Sequence, residues 1–98
     1  MVKHLIRFSE LPEESYELLL DEELESGQHL VVYNDDVNTF DFVIESLIKV
    51  CRHDRVQAEQ CSILIHYTGK CAVKDGFFTE LRPMCEALLD RGISASIE

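Results

Sequence analysis

The sequence predicts a small α+β domain of order β-α-α-β-α-β, a three-stranded antiparallel sheet packed on three helices behind an N-terminal extension. Three observations carry this expectation. The run Leu30-Val31-Val32-Tyr33 is short, β-branched and aromatic, as a buried strand is. Phe40, Val43, Ile44, Leu47, Ile48 and Cys51 recur at the spacing of one helical face. Ile93, Ala95 and Ile97 alternate with polar residues, the pattern of a half-buried strand.

Residues 1–29 read differently from the rest. They hold eight acidic residues against Lys3 and Arg7, a net of −6 of the chain's −10. Pro12 suits a first helical turn, and Leu18-Leu19-Leu20 with Leu24 allow a short amphipathic helix before Ser26-Gly27. The globular domain is expected over residues 30–98.

After the first strand, a turn is expected over Asn34 to Asn38, with Asn38 as N-cap and Asp41 in the first helical turn. This helix should stop near Arg52-His53. Asp54, followed three positions later by Gln57, resembles a capping box opening a second helix. That helix turns Ala58, Cys61 and Ile65 inward, carries His66 in its last turn and ends at Gly69, which suits a left-handed C-terminal position. A weak strand at Lys70–Lys74 precedes an Asp75-Gly76 turn. The third helix shows Leu81, Met84, Cys85, Leu88 and Leu89 on one face before Gly92, with Pro83 confined to its first two turns.

With 98 residues, 46% of them hydrophobic and 29% charged, the chain has the size and composition of one soluble domain with a modest core. Its apolar runs are too short to span a bilayer and no secretory signal is visible, so the cytoplasm is the expected location. A net charge of −10 repels phosphate backbones, which argues against nucleic acid and for basic or ammonium-bearing partners. Cys51, Cys61, Cys71 and Cys85 lack the two-residue separation of zinc knuckles and dithiol redox sites. Cys51, Cys61 and Cys85 fall on apolar helical faces and read as small core residues.

Chemistry concentrates in two segments, Tyr33-Asn34-Asp35-Asp36 and Ile65-His66-Tyr67-Thr68-Gly69-Lys70. Taken singly, the first reads as a turn and cap before a helix, and His66 as a histidine satisfied in a last helical turn. Taken together, they assemble oxygen and imidazole acceptors at two element ends.

The run from Val32 to Lys70, about 40 of the 98 residues, resembles the ClpS family of Clp protease adaptors. Asn34-Asp35-Asp36 at a strand end, Phe42-Val43 in the following helix and His66-Tyr67-Thr68-Gly69-Lys70 at a helix close carry the resemblance. It implies an adaptor rather than an enzyme, with neither metal nor cofactor. Such an adaptor binds N-degrons of the N-end rule, proteins whose first residue is Leu, Phe, Tyr or Trp, and delivers them to the N-terminal domain of a Clp AAA+ unfoldase for proteolysis. It implies that Asn34, Asp35 and His66 receive the free α-amino group, with Asp36 and Asn38 in support. An ammonium has three donors and needs acceptors, and burying it without them costs several kcal/mol. Phe40, Val43, Ser62 and Ile65 are expected to line the pocket for the first side chain, with Phe40, Val43 and Ile65 in the core. Burying a Leu or Phe there contributes about 1.5–3 kcal/mol.

Three positions depart from the family pattern: Asn38 where Thr is common, and Phe40 and Ser62 where Met is common. They leave the ranking of first residues open. Tyr67, Lys70 and Glu80 are the expected unfoldase contacts, and the acidic extension is a further candidate. Two other readings stand beside this one: a module that docks on the unfoldase without N-degron binding, and a metal-dependent hydrolase using Asp35, Asp36 and His66.

Overall fold

A computed structural model of the chain describes residues 27–98. The expected helix near Pro12 and the acidic extension lie outside the described residues, apart from the last three positions assigned to that extension. The elements follow the expected order: β1 (Gln28–Tyr33), α1 (Phe40–Cys51), α2 (Arg55–Thr68), β2 (Lys70–Gly76), α3 (Phe78–Asp90) and β3 (Ala95–Ile97). The sheet is antiparallel with order β2-β1-β3, so the apolar strand β1 lies in the middle. That position explains its unbroken run of buried residues, Leu30, Val31 and Val32. A single core joins Leu30 and Val32 of the sheet to Ile44, Leu47 and Cys51 of α1, Cys61 and Ile65 of α2, and Leu81 and Leu88 of α3.

Two helix boundaries are set as expected. Asp54 caps α2 by accepting from the Gln57 N–H at 2.7 Å. Gly69 closes it in the left-handed conformation, φ +97°, where a side chain is strained. Helix α1 ends on Arg52, which takes the left-handed conformation without being glycine and donates its N–H to the Leu47 carbonyl.

Four expectations need correction. Thr39, not Asn38, caps α1: its hydroxyl accepts from the Phe42 N–H at 3.1 Å. Asn38 is withheld from that role because its side chain is bonded elsewhere. Phe40 is 43% exposed and not a core residue, since it opens α1 one turn before Val43 and Ile44 reach the sheet. Strand β2 runs on to Gly76, because Asp75 and Gly76 continue the pairing with His29 and Gln28. Leu89 is 50% exposed: Leu81, Cys85 and Leu88 fill the buried face of α3, and Leu89 lies one step further round.

The register of β1 against β2 shifts between Leu30, opposite Lys74, and Val31, opposite Ala72. Val73 is the extra residue of this bulge, and a bulge leaves such a residue unpaired in the ladder. The freed Val73 carbonyl accepts from Nε2 of His53, buried at the α1–α2 junction, at 2.7 Å. Cys51, Cys61 and Cys85 are buried free thiols, as their helical positions imply. Burial pushes the Cys51 thiol up to about 11 and the Cys61 thiol to about 12, which keeps both protonated.

Candidate functional site

Beyond Tyr33 the chain leaves the sheet because Asp35 captures its backbone. Asp35 Oδ1 accepts from the N–H groups of Val37 and Asn38, both at 2.9 Å. Aspartate makes such turns readily, since its short side chain reaches the backbone two and three residues on. Its Oδ2 accepts from Asn38 Nδ2 at 2.8 Å, and that same amide reaches the Gly92 carbonyl at 2.8 Å. The Asn38 backbone N–H is the chief reason the Asp35 carboxyl is held below its ordinary range. Burial opposes this as the next largest influence, and the Asn38 side chain and the Val37 N–H lower the carboxyl further. A carboxylate offers about four lone-pair sites. Three are occupied in Asp35, which leaves one on Oδ2 for an outside donor. Forming the turn and serving as an acceptor are therefore compatible roles for this residue.

The turn is tied to the end of α2. The Asn34 N–H donates to the Gly69 carbonyl at 2.9 Å, while the Gly69 N–H donates to Ile65 at 3.0 Å. The segment holding Asn34 thus meets the last turn of α2, which carries His66. The described hydrogen bonds engage Asp35 but leave the side chains of Asn34, Asp36 and His66 open. All three are exposed. The His66 ring meets Tyr67 edge-on, with centroids 4.8 Å apart and planes at 85°.

Between turn and helices lies a cavity of about 670 Å³. Asn34, Asp35, Asp36 and Asn38 line it from the turn, Phe40 and Val43 from α1, and Ser62, Ile63, Ile65, His66 and Tyr67 from α2. Every residue expected at an ammonium site or side-chain pocket borders this one cavity. Ile63 was not anticipated. Its place beside Ser62 and one turn before His66 is the sequence signal that identifies it as a rim residue. Polar acceptors on one side and apolar walls on the other suit a ligand with a cationic head and a hydrophobic body.

The three expected docking residues do not gather in one place. Tyr67 is 78% exposed at the cavity rim. Lys70 opens β2 with its ammonium 5.9 Å from the centre of the Tyr33 ring. Glu80 lies beyond the other end of β2, where its Oε1 accepts from the Phe77 N–H at 3.3 Å. At about 3.3 Å per residue, the length of β2 puts roughly 20 Å between the two ends. Among the described residues no group of three or more His, Cys, Asp or Glu side chains is arranged to hold a metal ion. Asp35, Asp36 and His66 share a cavity without forming such a group.

A family model for the ATP-dependent Clp protease adaptor protein ClpS matches residues 25–95. The chain belongs to the ClpS family. The match takes in all three helices, β1, β2 and the whole of the cavity. ClpS membership gives the chain a role as a Clp protease adaptor, in a family that is generally non-catalytic, and implies interaction with Clp protease components. No curated protein shows a significant match to the chain. No helix among the described residues is long and apolar enough to cross a membrane.

Proposed function

We propose that this ClpS-family chain is an N-degron adaptor acting in the cytoplasm. It recognises proteins by a free α-amino group followed by a large hydrophobic first side chain, Leu, Phe, Tyr or Trp, and hands them to a Clp AAA+ unfoldase for degradation. One observation carries the reading: Asn34, Asp35 and His66 border the same cavity as Val43, Ser62 and Ile65. The ammonium donates to the Asn34 oxygen, the remaining lone pair of Asp35 Oδ2 and an unprotonated His66 nitrogen, three acceptors for three protons. Asn38 supports the site indirectly, by holding Asp35 through its amide. Asp36 adds negative charge at the mouth.

The first side chain enters between α1 and α2. Its burial contributes about 1.5–3 kcal/mol, short of a micromolar affinity by itself, so ammonium site and pocket act together. Phe40, 43% exposed, forms the pocket's mouth. The unfoldase contacts are assigned to the face around Tyr67 and Lys70, with Glu80 on a separate patch.

Calorimetric titration with the N-terminal domain of a Clp unfoldase, and separately with a Leu-first peptide, tests the assignment. Both ligands bind if the chain is an N-degron adaptor. Unfoldase binding with no heat from the peptide identifies a docking module instead.

A further inference from the structure

Ser62 stands out among the residues of the cavity. It is 1% exposed, and its hydroxyl has no hydrogen-bond partner among the described residues. Buried hydroxyls normally have one, and leaving one unpaired is costly. A helical serine usually satisfies itself on the carbonyl four residues back. Ser62 does not turn to the Ala58 carbonyl, although α2 is regular from Arg55 to Thr68. The helices supply the apolar part of the cavity lining: Val43 from α1, and Ile63 and Ile65 from the helix that carries Ser62. A single unsatisfied polar group on an otherwise hydrophobic floor favours a ligand that brings a hydrogen bond to that spot.

We propose that Ser62 makes the pocket selective for a first side chain with a polar end, tyrosine before phenylalanine, its hydroxyl pairing with the Ser62 hydroxyl at the pocket floor. This rests on the N-degron reading of the same cavity and ranks the ligands within it. A Leu or Phe side chain fills the apolar wall but leaves the Ser62 hydroxyl unpaired. A Tyr ring buries the same wall and ends in a group that both donates and accepts. A neutral hydrogen bond of this kind corresponds to about a three- to tenfold preference.

The test is a set of titrations with three free-amino peptides that differ only in the first residue: tyrosine, phenylalanine and 4-methylphenylalanine. The methyl group extends the ring as far as the hydroxyl does but makes no hydrogen bond, so this comparison needs no altered protein. The Tyr-first peptide is expected to bind three- to tenfold tighter than either of the others. In Ser62→Ala the Tyr-to-Phe ratio should fall to about one. A ratio near one in the unaltered protein, or a Tyr preference that survives Ser62→Ala, overturns the inference and leaves the adaptor reading standing. Failure of all three peptides to bind removes the N-degron reading and this inference with it.

Discussion

Asn38 donates its side-chain amide to the Asp35 carboxylate at 2.8 Å while its other amide proton reaches the Gly92 carbonyl, so one residue clamps the turn to the segment before β3. Asn38→Ala removes both bonds and should lower stability by about 1–2 kcal/mol, read by chemical denaturation. Asn38→Asp should be worse than Asn38→Ala, since it sets a second carboxylate against Asp35, and the gap between the two should narrow as salt is added. Equal stability of the two variants at low salt contradicts the clamp.

The same bonds set a pH dependence. The folded Asp35 carboxyl titrates below its ordinary value of 3.8, so the unfolded chain takes up this proton first as pH falls. Asp35 therefore contributes stability that is present above the ordinary carboxylate value and lost as pH drops through the lower folded one. Denaturation of the wild type and Asp35→Ala between pH 7 and 3 should show a stability difference that holds to about pH 4 and then shrinks. A difference that grows toward acid contradicts the assignment.

Peptide binding should carry a pH dependence of its own. A protonated His66 cannot accept from an ammonium and repels it, so a Leu-first peptide should bind more weakly whenever the ring carries its second proton. His66→Gln keeps an acceptor without taking up a proton, and its binding should vary less with pH. An identical pH profile for wild type and His66→Gln removes His66 from the site.

His53 serves the fold rather than the cavity. Its Nε2–H supplies the only described side-chain hydrogen bond to the Val73 carbonyl, the group that the β2 bulge takes out of the ladder. His53→Leu leaves that carbonyl buried without the bond and should cost about 1–3 kcal/mol without changing peptide selectivity. A loss of selectivity at unchanged stability would contradict this division of labour.

The particular residues show what a single sequence makes legible. Helix α1 was readable because its apolar positions repeat over three turns. The closures at Asp54 and Gly69 were readable because caps depend on residue type a few positions away. The cavity's polar side was readable because Asn34, Asp35 and His66 stand at element ends and match a family motif. What escaped depends on contacts between distant segments. The bulge at Val73 and its partner His53 are 20 residues apart, and the Arg91 guanidinium that donates to buried Ser46 is 45 away. Asn38 lost the N-cap to Thr39 for a similar reason: the Gly92 carbonyl, 54 residues on, holds its amide. Local chemistry left both residues eligible, and tertiary structure chose between them.

The central claim is that the cavity reads a free α-amino group. The direct measurement is paired titration of a Leu-first peptide and its N-acetylated twin. Acetylation removes the charge and two of the three donors while keeping the side chain, so the acetylated peptide should bind at least about tenfold more weakly. Asp35→Ala and His66→Ala should each erase most of that difference. Equal affinity of the two peptides for the unaltered protein contradicts the account.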